Sequence, residues 1–161
     1  MLLNYPYAQN YLLTALESAP LLISVALQGM TDDEADYRHD PERFTIREVL
    51  AHLADWEPVF LERLTRIRDE DYPLLIGYDE AVWAKEHDYA HSSWQLQTEL
   101  FAKRRSALVE FIQTVSGDDW PRTGNRPEIG VLSLQELALL IPLHDLYHLE
   151  QITEWRTGYR K

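Results

Sequence analysis

The sequence predicts an all-α fold, a four-helix bundle. Four long stretches carry apolar residues at three- and four-residue intervals, the spacing of one face of an α-helix. Between them we find no convincing alternating pattern of the kind that predicts a β-strand. The chain has 161 residues, 45% of them hydrophobic, which is enough for one well-packed core. We therefore expect residues 1–161 to form a single domain.

The first helix is predicted from Tyr7 to Leu27, with a bend at Pro20. A short helical turn is expected at TDDEA. There Thr31 and Glu34 have the spacing of a capping box, in which each side chain bonds the backbone N–H of the other residue.

The second helix begins at FTIREVL. Thr45 and Glu48 form another capping box, Phe44 stands where a hydrophobic staple would lie, and apolar residues then recur as far as Ile67. A tyrosine- and charge-rich connection, DEDYPLLIGYDEAVWAKEHDYAH, follows this helix.

The third helix is expected to begin near Ser92 or Ser93, because Ser92 and Gln95 have capping-box spacing. It stops at Ser116-Gly117. A second connection, SGDDWPRTGNRPEIG, leads to the fourth helix.

The sequence SLQE at 133–136 has the spacing of a further capping box and predicts the start of the fourth helix. Gly158 is its predicted terminator. Its apolar residues occupy more than one side. Such a helix is either buried centrally or covered by a second subunit. The leucines that lie away from the main apolar stripe are Leu139, Leu143 and Leu146.

The charge and composition exclude several classes of partner. A formal net charge of −12 disfavours nucleic acid, which needs a positive surface, and disfavours an anionic membrane. The longest apolar run, LALLIPL, is too short to cross a bilayer, and the N-terminal residues lack a signal-peptide pattern. We expect a soluble, cytoplasmic protein that acts on a small molecule. With no cysteine in the chain, any metal ligands are imidazoles and carboxylates, and any thiol chemistry needs a thiol from a substrate.

Two similar segments, HDLYH at 144–148 and HDYAH at 87–91, place histidines four residues apart, which on a helix brings both rings to one face. His144 and His148 lie well inside the fourth helix among apolar residues, so this pair is the candidate metal site. His87 and His91 flank a helix start near Ser92, which would not hold them on a common face. We expect these two to be solvated or packed singly against tyrosines.

A third histidine supports the metal site. His52 lies on the apolar face of the second helix, with Val49 and Trp56 one turn away on either side. Three imidazoles from two helices would leave coordination positions open, as in catalytic zinc sites, and favour zinc or nickel over iron. The alternative is a set of core histidines that bond to side chains of a neighbouring helix.

Prolines stand near both ligand sets. Pro58 and Pro142 each leave the carbonyl four residues earlier, that of Ala54 or Ala138, without its helical partner. The resulting bends would either open a cavity around the metal or serve helix packing alone.

The segments FTIREVLAHLADWEPVFLERL and GVLSLQELALLIPLHDLYHLEQI resemble the DinB-like family of metal-binding helical bundles, and the resemblance extends over nearly the whole chain. It implies an up-down-down-up bundle, often a homodimer, that binds zinc or nickel. The family's metal triad falls on His52, His144 and His148. Some relatives use small thiols such as bacillithiol or mycothiol in transfer or isomerisation reactions, whereas others are described only as metal-dependent hydrolases.

A thiol-dependent transferase is the first functional hypothesis, because a metal cation favours the nucleophilic thiolate. Trp56, Tyr78 and Trp83 are candidates to line its pocket. Arg105, on the inner face of the third helix, is a candidate to bind an anionic group of the thiol. Its alternative role is an arginine paired with one of the many acids.

A metal-dependent hydrolase is the second hypothesis, with Asp55 as a candidate general base or as a partner of the ligands. A non-catalytic bundle that uses the metal for stability or for ligand binding is the third. Three further residues of the fourth helix are candidates to hydrogen-bond the ligand histidines: Asp145, Tyr147 and Gln151.

Overall fold

Four long helices form the bundle in a computed structural model that describes residues 1–160. They are α1 (Pro6–Ala26), α3 (Ile46–Asp69), α5 (Trp94–Gln113) and α6 (Leu134–Tyr159). The connections contain two short helices, α2 (Asp32–Asp36) and α4 (Glu80–Glu86), and an antiparallel hairpin of β1 (Thr123–Arg126) and β2 (Gly130–Ser133). Within residues 1–160 no helix is both long and apolar enough to cross a membrane.

Hydrogen bonds between helices fix their relative directions. Arg47, at the start of α3, donates to the carbonyl of Ser92 just before α5, and Arg68 near the end of α3 donates to Thr114 just after α5. These two helices therefore run parallel. The backbone N–H of Leu3 just before α1 donates to Gln135 at the start of α6.

The remaining pairs complete the topology. Arg156 near the end of α6 donates to the carbonyls of Ala26 and Gln28 at the end of α1, so α1 and α6 are also parallel. Trp155, late in α6, donates to the carbonyl of Phe44 just before α3, so α3 and α6 are antiparallel. The bundle is thus up-down-down-up, as the resemblance to the DinB-like family implies.

Three of the four predicted capping boxes start their helices. They pair Thr31 with Glu34, Thr45 with Glu48, and Ser133 with Glu136.

The start of α5 and the end of α6 differ from the prediction in detail. Ser93, not Ser92, caps α5 and accepts the N–H of Leu96, while the Ser92 hydroxyl donates to the carbonyl of Tyr89. The last helix continues to Tyr159, one residue beyond Gly158.

A hairpin, a short helix and two 3-10 turns, Leu2–Asn4 and Tyr89–His91, were not predicted. The expectation of no strand is wrong for residues 123–133, where a three-residue loop and Gly130, at a φ of +86°, join β1 to β2. Strands of four residues are too short for an alternating pattern to stand out. The missed helix is α4, which Asp79 starts by accepting the N–H groups of Ala81 and Val82.

Prolines inside α1 and α3 free backbone carbonyls that accept hydrogen bonds from α5. A proline leaves the carbonyl four residues earlier without a helical donor. Two adjacent arginines of α5 donate to two such carbonyls, so the acceptors that the prolines leave unpaired form hydrogen bonds between helices. The pairs are Arg105 with the Leu16 carbonyl (3.2 Å) before Pro20, and Arg104 with the Ala54 carbonyl (2.7 Å) before Pro58.

The outer surface of α1 and α6 is apolar. Leu143 and Leu146 are each 61% exposed, so α6 is not buried centrally within one chain. A groove between α1 and α6 runs beside these two leucines. The sequence predicts that this helix is either buried centrally or covered by a second subunit. Since it is not buried within one chain, cover by a second subunit stays a prediction. Other exposed apolar residues on the same two helices are Leu21, Leu22, Val25 and Leu140.

Candidate metal centre

Three histidines from two helices meet in the bundle interior. His52 lies near the middle of α3, and His144 and His148 lie one turn apart on α6. The Nε2 atom of His144 is 2.9 Å from that of His52 and 3.2 Å from that of His148. One ligand atom from each residue lies within 4.8 Å of the others, so the three side chains form a group that could hold a metal ion.

All three imidazoles are kept neutral by their surroundings. Burial lowers the pKa of His144 to about 4 and, with His144 nearby, the pKa of His148 to about 3. Burial also lowers the pKa of His52 well below its usual value. At neutral pH the rings therefore carry nitrogen lone pairs that are free to coordinate a cation.

Gln151 sets the orientation of one ring. Its amide nitrogen donates to the carbonyl of Phe44 at 2.7 Å, so its amide oxygen faces His148. That oxygen is 3.4 Å from Nδ1 of His148 and accepts the N–H there. The Nε2 atom of His148 is then left with a lone pair that points into the triad.

The donor set fits a divalent cation. In a tetrahedral zinc site with bonds of about 2.0–2.1 Å, neighbouring ligand nitrogens lie about 3.3 Å apart. The observed separations of 2.9 and 3.2 Å are slightly shorter than this. The Nδ1 atoms of His52 and His144 are buried, and within residues 1–160 they have no hydrogen-bond partner. These two rings are thus positioned by the packing of their neighbours, which leaves Nε2 of each facing the triad.

Aromatic rings surround the triad. The ring centroid of Phe44 is 5.6 Å and that of Trp56 4.6 Å from His52, while Phe60 lies 5.4 Å from His144. The roles of Phe44 and Phe60 were not predicted from the sequence, although Phe60 follows His52 at the helical spacing i+8. Such a lining excludes water and strengthens electrostatic interactions at the site.

The predicted pocket residues do come together. The ring centroid of Trp83 is 5.7 Å from Trp56 and 4.7 Å from Tyr78, and Tyr78 is 6.5 Å from Trp56. Tyr78 and Trp83 are half-buried, so the outer edge of this aromatic cluster of Trp56, Tyr78 and Trp83 reaches solvent. The long connection after α3 thus supplies a wall next to His52.

Asp55 is held on another side of α3. Its carboxylate accepts hydrogen bonds from His87 (2.6 Å), Arg104 (3.0 Å), Tyr89 (3.3 Å) and Trp83 (3.4 Å). Burial alone would raise its pKa, but these bonds, led by the one from His87, lower it. A carboxylate with four donors and a lowered pKa is a poor general base, and within residues 1–160 it has no hydrogen bond to the triad.

The second histidine pair is divided as expected. His87 ends α4 and bonds Asp55, whereas His91 lies in a separate 3-10 turn and bonds Asp88 at 2.6 Å. Asp88 between them has a φ of +50°, so no continuous helix carries both rings.

Arg105 has the alternative role that the sequence left open, pairing with acids. It is 1% exposed, and its N–H groups make two bonds to Glu57, two to Asp145 and one to the Leu16 carbonyl, which occupies all five donors. No donor is left for the anionic group of a ligand. Asp145 accordingly faces Arg105 and not a histidine. The ring of Tyr147 packs 5.1 Å from that of His148.

The fold agrees with the comparisons to known proteins. The model of the DinB superfamily matches residues 15–152. This chain belongs to the DinB superfamily. A putative metal-dependent hydrolase of Oceanobacillus iheyensis is 26% identical over 144 residues, which cover 89% of this chain and 83% of that protein. YfiT of Bacillus subtilis, named in the same way, is 24% identical over 140 residues, 86% of this chain and 79% of its own length.

A solved structure shares the fold of this superfamily member. Bacillus subtilis YfiT, described as a probable metal-dependent hydrolase with an unusual four-helix bundle topology, superposes with a TM-score of 0.90 at 22% identity. The match covers 96% of this chain and 89% of YfiT. The up-down-down-up arrangement is therefore common to both proteins.

Proposed function

We propose that this protein is a metal-dependent enzyme whose ion, zinc or nickel, is held by His52, His144 and His148. The observation that carries the proposal is the convergence of three neutral Nε2 atoms, 2.9 and 3.2 Å apart, inside an aromatic lining. A bound divalent cation would supply Lewis acidity, which lowers the pKa of a thiol or a water molecule at the site.

We further propose that the nucleophile is a small cellular thiol, such as bacillithiol or mycothiol, and that the reaction is a group transfer. The chain has no cysteine of its own, so the sulfur would come from a cosubstrate. The residues around the triad suit this chemistry, because Phe44, Trp56 and Phe60 keep bulk water away. A thiol also needs no protein base once its pKa is lowered, and the nearest candidate base, Asp55, is engaged elsewhere.

Hydrolysis is the second candidate, and the names of the relatives favour it. Both the Oceanobacillus protein and YfiT are called putative metal-dependent hydrolases. In that case water would take the place of the thiol beside the same three histidines.

The metal content of untagged protein tests the first proposal. We expect one equivalent of zinc or nickel in the wild type and its loss in His52→Ala. The double variant His87→Ala/His91→Ala is a matched control, since it removes two histidines outside the triad and should keep the ion. Metal retained in His52→Ala, or lost equally in the control, would contradict the assignment.

Calorimetric titration with a panel of thiols then separates transfer from hydrolysis. We expect one thiol to bind the metal form and not the metal-free form. Metal without affinity for any thiol would favour hydrolysis instead.

We also propose that the protein is a homodimer. The exposed leucines of α1 and α6, with the groove between them, are the apolar surface that a second copy would cover.

A further inference from the structure

Arg63 is a buried cation that forms no ion pair with a carboxylate of residues 1–160. Three arginines are buried in the structure, and two of them have acids beside them: Arg105 binds two carboxylates at 2.6 Å, and Arg156 lies 3.6 Å from Glu34. Arg63 is 2% exposed, yet within residues 1–160 no carboxylate oxygen lies within 4 Å of it. A buried charge normally has a partner, because its removal from water is costly.

The guanidinium of Arg63 is also short of hydrogen bonds. One terminal nitrogen, Nη2, donates to the carbonyl of Ile76 at 2.7 Å, and this is its one hydrogen bond to residues 1–160. The buried Nε has no partner there. Burial and the nearby charge of Arg126 lower the pKa of Arg63, and the more distant Glu62 and Glu128 only partly oppose this.

Arg63 lies at the far end of the aromatic cluster. Its guanidinium carbon is 5.6 Å from the centre of the Tyr78 ring. Trp56 connects this position to the metal centre, because its ring is 6.5 Å from Tyr78 and 4.6 Å from His52. His52, Trp56 and Arg63 share one face of α3, with roughly 16 Å along the helix axis between the first and the last.

We propose that Arg63 binds an anionic group, a carboxylate or a phosphate, on the small molecule that this enzyme acts on. The fork of a guanidinium matches both groups, and the free N–H donors of Arg63 are of the kind that such a group accepts from. The body of the molecule would lie against Trp56 and Tyr78. An extended substrate then places its anionic group remote from the atom that reacts at the triad.

The statement that the anion belongs to a substrate rests on the proposed function. The statement that Arg63 binds an anion does not. Recognition of the anion uses residues outside the triad, so metal-free protein should still bind it. Loss of metal in the histidine variant tests the proposed function, whereas anion binding by metal-free protein tests Arg63 alone. The two failures are therefore distinguishable.

Titration of metal-free protein with benzoate and phenyl phosphate, followed by tryptophan fluorescence and calorimetry, tests the inference. Benzamide is the neutral control ligand. We expect Arg63→Met to weaken binding of the anions about tenfold or more, the range for a hydrogen bond to a charged group. Arg66→Met is the matched control, because Arg66 lies on the same helix but is paired with Glu70 at the surface. The tighter of the two probes identifies the anionic group.

Several results would overturn the inference. They are anion affinity that is unchanged in Arg63→Met, equal losses in Arg63→Met and Arg66→Met, benzamide that binds as tightly as benzoate, and no binding of either anion to the wild type. If Arg63→Met does not fold, NMR of the wild type replaces it. The Nε–H resonance of Arg63, assigned with Arg63→Lys, should shift on addition of the anion, and an unmoved resonance refutes the proposal.

Discussion

Replacement of Arg105 by Met should destabilise the fold by about 3–5 kcal/mol at pH 7, the usual cost of breaking a buried ion pair from one side. Arg105 bonds Glu57 and Asp145 through four charge-assisted contacts of 2.6–2.9 Å, and all three side chains are at most 5% exposed. Methionine fills similar space but leaves two buried carboxylates without a counter-charge. These carboxylates can then avoid the penalty only by binding protons.

The protonation route sets the pH dependence of this loss. To protonate a carboxyl with an ordinary pKa near 4 costs about 4 kcal/mol at pH 7 but about 1.4 kcal/mol at pH 5. Burial already raises the pKa of Glu57 in the wild type, and loss of the opposing Arg105 should raise it further above the unfolded value in the variant. Its stability is therefore greater at low pH and falls as pH rises, and the deficit relative to wild type should shrink by about 2 kcal/mol or more at pH 5.

Urea denaturation at pH 7 and pH 5 measures both quantities. Addition of Glu57→Gln and Asp145→Asn to the Arg105→Met background should recover much of the stability at pH 7, because the buried charges are gone. A loss below about 1 kcal/mol at pH 7, or the same loss at both pH values, would show that unpaired buried carboxylates are not the cause of the destabilisation.

Three further predictions concern the metal, acid stability and assembly. Gln151→Leu should weaken metal affinity about 10- to 100-fold in a chelator competition, since it removes the acceptor that orients a ligand ring; unchanged affinity would count against that role. Burial tends to raise the pKa of Glu34, but its capping bond and the nearby arginines lower it below the usual 4.5. Glu34→Gln should therefore cost about 1 kcal/mol of stability at pH 7, and less as the pH falls below 4.5. A difference in stability that stays constant from pH 7 to pH 3 would argue against this role of the Glu34 carboxylate. Leu143→Asp/Leu146→Asp should sediment as a monomer, while Leu96→Asp, on the exposed side of α5, should leave the dimer intact; a monomeric wild type would end the dimer proposal.

The parts of the fold that could be predicted are those with local signals. Capping boxes and helical periodicity place the long helices to within a residue or two, and the apolar neighbours of His52, His144 and His148 mark them as inward-facing. These signals are sufficient because each depends on residues within one or two turns of the same helix. The convergence of three histidines follows once two such helices pack together.

The partners of buried charges could not be predicted in the same way. Arg105 meets Glu57 and Asp145 from 48 and 40 residues away, and nothing local indicates which acids it will reach. Arg63 is also buried on a helix, but within residues 1–160 it forms no ion pair. Whether a buried arginine pairs with acids or keeps its N–H donors unpaired therefore depends on long-range packing. The hairpin at 123–133 was missed for a related reason, since each of its strands has only four residues.

The parallel pairing of α3 and α5 also has a consequence for how the chain folds. Contacts between two helices joined by a tight turn begin at short sequence separation, but those between α3 and α5 span 45, 46, 48 and 50 residues along their whole length. The chain must therefore close a loop of about 45 residues before any of this interface forms. Since folding slows as contact order rises, we expect this bundle to fold more slowly than an up-down-up-down bundle of equal size.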